Sequence, residues 1–580
     1  MLLDDARSLG GSASLFRAPV RIVETADPDA VETCLEELRE ATNSGLHAAG
    51  FLSYEAGHSL DRKLRPLRMK VSDAAVPLLW FGMFETREEL LAGAVATLLP
   101  DASRAWATPP CPLVCQTDYE VVVARIKAHI EAGDIYQANF TFQAEVAVSG
   151  SPLALYAAIR QRAAGGHGAL VHTGRDWLLS FSPEMFFTLE AGKLTARPMK
   201  GTAKRGVDPQ EDEALSAALR SDPKQRAENL MIVDLLRNDL SRVSRPGTVK
   251  VPELFEVETY PTVHQMTSTV TAELEAGLDV GNVIAATFPC GSITGAPKLR
   301  AMEIIHDVEE RWRGAYTGSI GRWSPDGNAA FNVAIRTLWL RDGSNVARIG
   351  LGSGIVADSI PGDEWHECLA KGAFVAGGAA PFDLIETMRF DPHSGLVDLD
   401  RHLARMKRSA DALGFTFNRH QARNELQAAT FRLPEVRRVR LLLSQCGAIS
   451  IETRPWQQPA AGSLTVRMAP LPVAASDFRL RHKTTDRAFY DEARRASGAD
   501  ELLFVDEEGR ITEGSFTNVF VPRGGKLLTP PLSLGLLPGI LRERLIESGE
   551  AEDAELRADD LQGTFYVGNS LRGLVPARLA

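Results

Sequence analysis

Apolar residues recur at helical spacing at Val122, Val123, Ile126 and Ile130, directly after Thr117-Asp118-Tyr119-Glu120, which has the form of a capping box. The pattern predicts a helix from Thr117 that Gly133 stops. The apolar run Trp177-Leu178-Leu179-Ser180-Phe181 predicts a strand, and Pro183 beyond it leaves Glu184 at a strand edge or bend. Asp222-Pro223 reads as an N-cap followed by proline at the first helical position, and on that helix Glu228 shares a face with Met231, Ile232 and Leu235. If a further helix begins at Asp363, then Glu364, Glu367 and Lys371 form one stripe at spacings of three and four. Residues 1 to about 100 mix short apolar runs, such as Gly50-Phe51-Leu52-Ser53-Tyr54-Glu55, with polar turns, and Ala107-Thr108-Pro109-Pro110-Cys111-Pro112 reads as a connector. The small, flexible stretch Val375-Ala376-Gly377-Gly378-Ala379-Ala380-Pro381 marks a boundary, which divides the chain into 1–375, a linker 376–381, and 382–580.

A chain of 580 residues, 44% hydrophobic and 24% charged, is long enough for more than one core. Its net charge of -11 argues against a nucleic-acid or anionic-membrane partner, so cationic groups should be confined to sites. The six cysteines have neither the paired spacing of a zinc site nor the density of a disulfide scaffold. Acids at Asp4 and Asp5 replace the basic start of a secretory signal, and no stretch of 18 apolar residues appears. The expectation is a cytoplasmic protein with reduced thiols, bound to neither nucleic acid nor membrane.

Chemistry enters at Arg197-Pro198-Met199-Lys200-Gly201-Thr202-Ala203-Lys204-Arg205-Gly206, which sets Lys200 in a cationic, glycine-punctuated turn suited to an anionic substrate. Like charges around a lysine make its amine more available as a nucleophile. Taken alone, the segment reads equally as a solvated basic turn. Glu184 could be merely exposed, Glu228 could pair with an arginine, and Glu367 with Lys371 could be an ordinary helix-surface pair.

Pro198-Met199-Lys200-Gly201-Thr202 resembles the Pro-Ile-Lys-Gly-Thr signature of aminodeoxychorismate synthase component I, whereas anthranilate, salicylate and isochorismate synthases typically carry alanine at the lysine position. The run Ala227-Glu228-Asn229-Leu230-Met231-Ile232-Val233-Asp234-Leu235 is similar to the same branch, and Gly133-Asp134-Ile135-Tyr136-Gln137-Ala138-Asn139 to the chorismate-using enzymes generally. The resemblance covers residues 115 to 375 densely and the first hundred thinly. It implies chorismate as substrate, Lys200 as nucleophile, Glu184 as the acid that protonates the departing 4-hydroxyl, and His264, from Tyr260-Pro261-Thr262-Val263-His264, beside the ring. It further implies one Mg²⁺ held by Glu228, Glu367 and Glu364, with Tyr316, Arg336 and Lys371 on the enolpyruvyl carboxylate. Backbone around Gly295 and Gly354 completes the cradle.

A second resemblance begins at Phe382-Asp383-Leu384-Ile385-Glu386-Thr387 and continues through Leu399-Asp400-Arg401-His402-Leu403-Ala404-Arg405, His482-Lys483-Thr484 and Thr512-Glu513-Gly514-Ser515. These are similar to the fold-type IV pyridoxal-phosphate enzymes, which include aminodeoxychorismate lyase and branched-chain aminotransferases. The resemblance implies Lys483 as the Schiff-base lysine, Glu513 facing the pyridinium nitrogen, and Arg405, Ile540 and Ser570 on the phosphate. The strand that usually precedes the Glu-Thr element is missing here. Together the resemblances imply an α+β chain: a chorismate-utilising α/β sandwich, then a smaller α+β domain that binds pyridoxal 5'-phosphate. The implied function is conversion of chorismate to 4-aminobenzoate, with ammonia from a separate glutamine amidotransferase subunit because no Cys-His-Glu glutaminase signature is visible. An anthranilate synthase joined to an aminotransferase, or a C-terminal module that only docks a partner, are the alternatives.

Overall fold

The computed structural model describes residues 1–7, 13–68, 76–91, 93–102, 105–206, 208–259, 263–376, 382–456, 462–473, 475 and 477–580. Residues 377–381 of the expected linker and Tyr260-Pro261-Thr262 lie outside the described residues. The chain forms two compact units: residues 1–100, 108–146 and 156–378 make the first, and residues 101–107, 147–155 and 379–580 the second.

The first unit is built on two large sheets. One sheet runs in the order Gly295–Ala296, Gln137–Ser149, Val346–Ile355, Thr337–Arg341 and Asp176–Ser180, and continues to strands near the N-terminus. The other begins Met199–Lys204, Val263–Glu273, Lys193–Arg197 and Met185–Glu190 and continues through Ala329–Asn332 and Ser319–Trp323. Phe331 packs against Phe187 at 5.2 Å and Phe81 at 6.4 Å between ring centroids, within a core to which the helix Pro223–Ser241 contributes Ile232, Val233, Leu236 and Leu240. Asp222 caps that helix as expected, accepting from Lys224 N at 2.8 Å and Gln225 N at 3.1 Å.

Three local expectations are corrected. The first helix is Gln116–Glu131 with Cys115 at the N-cap and no side-chain cap bond, so Thr117 lies inside it and the capping box does not form. Cys115 Sγ instead bonds Asp118 Oδ2 at 3.0 Å. The helix bearing Glu364 and Glu367 starts two positions before Asp363, at Pro361, where proline's missing N–H costs nothing. Residues 199–204 form a strand, whose pairing with Val263–Glu273 shifts register between Met199 and Thr202. Gly201 sits in this bulge at φ 99°, a conformation that favours glycine.

In the second unit a four-stranded sheet runs Gly395–Leu396, Leu384–Asp391, Arg437–Leu443, Ile449–Pro455, and an eight-stranded mixed sheet includes Leu464–Pro470, Glu501–Val505, Asn518–Arg523 and Phe565–Asn569. The amphipathic helix Leu399–Leu413 buries His402, Leu403, Arg405 and Met406, and Gly414 ends it at φ 67°. Trp106, from the segment 101–107 that belongs to this unit, stacks near Phe478 at 4.4 Å and Phe382 at 5.2 Å. It therefore covers the residues just ahead of the Glu386 strand.

Candidate active sites

Lys200 lies on Met199–Lys204, and its Nζ is 3.8 Å from Glu228 Oε2 on the adjoining helix. Its amine also reaches Gly354: a Cβ built there would stand 3.0 Å from Lys200 Nζ and 2.9 Å from Gln137 Nε2. The cationic surroundings expected of Lys200 are not its neighbours, because Arg197 pairs with Glu258 and Arg205 with Asp212, the latter at 2.7 Å. Alternation along a strand sends successive side chains to opposite faces, so charges adjacent in sequence are separated in space.

Glu184 is buried rather than at an exposed edge. Burial pushes its carboxyl up to about 7, against the opposing effects of a Ser292 hydrogen bond and the Lys200 charge. Its Oε1 has no hydrogen-bond partner. A carboxyl that holds its proton near neutrality, with one oxygen unengaged and an amine in electrostatic reach, can act as a general acid. Gln137, whose role the sequence did not show, is fully buried with neither amide atom paired and the amide beside Lys200 and Gly354. Unpaired buried amides are costly, and spacing alone cannot reveal one.

His264, expected beside the ring, lies on the strand Val263–Glu273. It is buried opposite Ala203, with Nε2 2.9 Å from Asp212 Oδ1 and Nδ1 3.1 Å from Thr259 Oγ1, so both nitrogens are engaged within the protein. Lys371 lies 2.7 Å from Glu367 and donates to Gly352 O at 3.0 Å. Tyr316 packs its ring over Gly350, where a Cβ would lie 2.0 Å from Cδ1, and Arg336 holds φ 50° with its guanidinium 5.8 Å from the Phe374 ring. Gly295 pairs with Ala138, and a Cβ there would come within 2.2 Å of Gln137 O.

Among the described residues no cluster of three or more His, Cys, Asp or Glu side chains is arranged to hold a metal. The expected trio is not gathered: Glu364 Oε1 accepts from Ser359 Oγ at 2.7 Å, Glu367 pairs with Lys371, and Glu228 faces Lys200. Their chemistry still suits Mg²⁺, a hard cation that accepts oxygen ligands, few protein carboxylates and the rest from substrate and water. Glu228 and Glu364 both act on Lys224, while Glu367 is acted on by Lys200 and Lys224, so the three face a common region.

In the second unit a cavity of about 450 Å³ is lined by Arg405, Lys483, Glu513, Ile540 and Ser570, the residues expected around the cofactor. Burial pushes the Lys483 ammonium down to about 7; Arg405, Arg487 and Arg440 act the same way, and Glu386 opposes. Burial raises Glu513 to about 7 as well, although Tyr490 Oη at 2.5 Å and Leu537 N at 3.1 Å donate to it. Arg405 is partly spoken for: Nε and Nη2 form a fork on Glu386 at 2.8 and 2.6 Å, and Nη1 donates to Pro538 O at 2.9 Å. Glu386 also meets His402 Nδ1 at 2.6 Å, and His402 Nε2 meets Ser570 Oγ at 2.9 Å. Burial would raise Glu386, but Arg405 and His402 outweigh it and hold the carboxyl below its ordinary range. Pyridoxal phosphate fits this donor set: a neutral amine for its carbonyl, a carboxyl for its ring nitrogen, and a guanidinium, hydroxyl and helix start for its phosphate. At that helix start Gly539 cannot carry a side chain, since a Cβ would lie 1.7 Å from Asn518 Oδ1.

These features define an α+β chain of two units, each with buried ionisable groups gathered at one site. The chorismate binding enzyme family model matches residues 11–377, and the chain belongs to that family. Residues 383–580 match the model for amino-transferase class IV. The aminodeoxychorismate synthase component 1 of Klebsiella aerogenes is 42% identical over 254 residues, covering 44% of this chain and 56% of the relative. The anthranilate synthase component 1 of Aquifex aeolicus is 39% identical over 254 residues, covering 44% and 51%. The chain spans about half the length of these curated relatives. Among solved structures, anthranilate synthase component I from Streptococcus pneumoniae TIGR4 superimposes with a TM-score of 0.55 at 25% identity, covering 63% of this chain and 92% of that one.

Proposed function

We propose that the chain makes 4-aminobenzoate from chorismate in two steps, the first in the unit carrying Lys200 and the second in the unit carrying Lys483, with residues 1–375 and 382–580 as the two enzymes. The observation that carries this reading is the buried Glu184 carboxyl, raised to about 7 and within electrostatic reach of the Lys200 amine, which itself stands beside Gly354 and Gln137. Glu228 and Glu367, with Glu364, would hold Mg²⁺, which supplies positive charge to the substrate's ring carboxylate. Lys200 Nζ attacks C2 while Glu184 gives its proton to the departing 4-hydroxyl, which leaves as water. Ammonia then adds at C4 and Lys200 is released, giving 4-amino-4-deoxychorismate. Tyr316 and Arg336 orient the enolpyruvyl arm. The ammonia is delivered by a separate glutamine amidotransferase subunit.

In the second step Lys483, Glu513, Arg405, Ile540 and Ser570 would hold pyridoxal phosphate, which when bound supplies an electron sink at the substrate's amine-bearing carbon. Lys483, neutral near pH 7 because it is buried, takes the proton from C4. The bond from C3 to the enolpyruvyl oxygen breaks, pyruvate leaves, and the ring becomes aromatic. Incubating the cofactor-loaded protein with chorismate, Mg²⁺ and an ammonium salt should give 4-aminobenzoate and pyruvate in equal amounts. Anthranilate as the main product would overturn the assignment.

A further inference from the structure

The second unit's cavity carries more positive charge than its cofactor needs. Six arginines and Lys483 line it against three carboxyl groups, Asp491, Asp500 and Glu513. Asp491 lies 3.6 Å from Arg494, so it offsets one of these arginines, while Asp500 accepts from Thr465 N at 2.9 Å and Glu513 from Tyr490. A bound phosphate would offset Arg405 at the Ile540 end, which leaves Arg438 and Arg572 among the cavity arginines without an ion pair to a described residue.

The arrangement of Arg438 is unfavourable in itself. In the four-stranded sheet Arg438 stands directly opposite Arg389 on one neighbouring strand and Arg454 on the other, so three like charges share one cross-strand row. Like charges in that relation destabilise a sheet. Two positions along, Arg440 stands between Thr387 and Glu452, and Ile385, Thr387, Arg438 and Arg440 all line the cavity on the same face. Arg572 reaches the cavity after the strand Phe565–Asn569, its guanidinium 4.7 Å from the Phe516 ring. Neither Arg438 nor Arg572 forms an ion pair with a described residue, whereas Arg440 lies 3.7 Å from Glu452. Both guanidinium groups lie below the usual arginine range: Arg438 through burial and then Arg440 and Arg454, and Arg572 through burial, with Arg494 and Arg438 adding to it and Glu501 opposing.

We propose that Arg438 and Arg572, supported by Arg440, form a recognition site for a dianion, so that the second unit selects an amine carrying two carboxylates over amino acids carrying one. The proposal rests on the reading that this cavity receives an amine substrate, and it names the feature of that substrate which the cavity reads. Arginine's planar fork suits each carboxylate, and the Phe516 face fixes the Arg572 plane.

The test uses the full-length, cofactor-loaded protein and follows the cofactor's visible absorption, which reports on this cavity alone. Isophthalate, a planar dicarboxylate without an amine, should bind at least about tenfold more tightly than benzoate, the scale of one charge-assisted hydrogen bond. Arg438→Gln and Arg572→Gln should each erase most of that preference. With 4-amino-4-deoxychorismate, each should raise KM by about tenfold while kcat falls far less. Arg438→Gln also relieves the like-charge row, so its Tm should equal or exceed that of the wild type. That outcome separates lost recognition from lost folding. An isophthalate preference that survives both substitutions, or is missing from the wild type, would overturn the dianion site. If the wild type forms no 4-aminobenzoate but loses its isophthalate preference on substitution, the lyase reading fails and the dianion site stands.

Discussion

Glu184 and Gln137 concentrate the residue-scale question, since each is buried with polar atoms that no described residue satisfies. For Glu184 the consequence can be signed. Its folded carboxyl titrates near 7, above an ordinary carboxyl, because burial penalises the charged form. Amination, which needs the protonated form, should therefore fall as pH rises through about 7. Glu184→Gln should remove that limb and lower kcat by about a hundredfold or more, the scale of general acid catalysis. Stability moves the same way: between the ordinary carboxyl range and pH 7 the folded chain binds the proton that the unfolded chain has lost, so the wild type loses stability as pH rises there. The glutamine variant should show less of that slope in thermal melts; an unchanged slope and pH profile would remove Glu184 from the acid's role. The apolar run ending in Pro183 made this residue visible in the sequence, but its burial depends on sheet packing that no local spacing encodes. The Glu367–Lys371 pair was legible from its spacing of four, whereas the fork of Arg405 on Glu386 joins two separate elements and was not.

At the scale of elements, the helix Pro223–Ser241 was the most readable part of the site. Its start is written in Asp222-Pro223; of the expected apolar face Met231, Ile232 and Leu235 only Ile232 is fully buried, and Val233 and Leu236 complete the buried stripe. The cap does measurable work on the site, because the first turns of this helix position Glu228 against Lys200. Asp222→Ala should cost about 1 kcal/mol of stability in urea unfolding, the usual size of an N-cap loss, and should raise the Mg²⁺ concentration needed for half-maximal amination. An unchanged Mg²⁺ requirement would separate the helix start from the metal region. Glycine positions were less readable as elements: Gly354 lies in an ordinary strand, and only the fold shows that a methyl there meets Lys200 Nζ at 3.0 Å and Gln137 Nε2 at 2.9 Å. Gly354→Ala should accordingly lower kcat by about tenfold or more by displacing the amine, with little change in Tm, since both contacts are ends of flexible side chains. The strand pairings were not legible at all. Gln137–Ser149 adjoins Gly295–Ala296 and Val346–Ile355, both more than a hundred positions away, and periodicity carries no such information.

For the whole molecule, the two sets of motifs could be told apart in sequence because each keeps its own order, one ending before the small-residue stretch and the other starting after it. The inclusion of residues 101–107 and 147–155 in the second unit was hidden, since nothing local in Trp106 announces that it packs with Phe382 and Phe478. If the two units carry successive reactions, a change at Lys483 must separate them. Lys483 is the buried amine of the second cavity and has no part in the chemistry proposed for Lys200. Lys483→Ala should therefore abolish the visible band of the loaded cofactor and the release of pyruvate, while amination of chorismate continues at the wild-type rate. The variant should accumulate 4-amino-4-deoxychorismate, and adding an independent lyase should convert that pool to 4-aminobenzoate. A keto-acid requirement in the wild type would instead mark an aminotransferase, which needs a second substrate to complete its cycle. If Lys483→Ala formed 4-aminobenzoate as fast as the wild type with no other lyase present, the second unit would have no catalytic share in the conversion, and the aromatising step would have to be sought outside it.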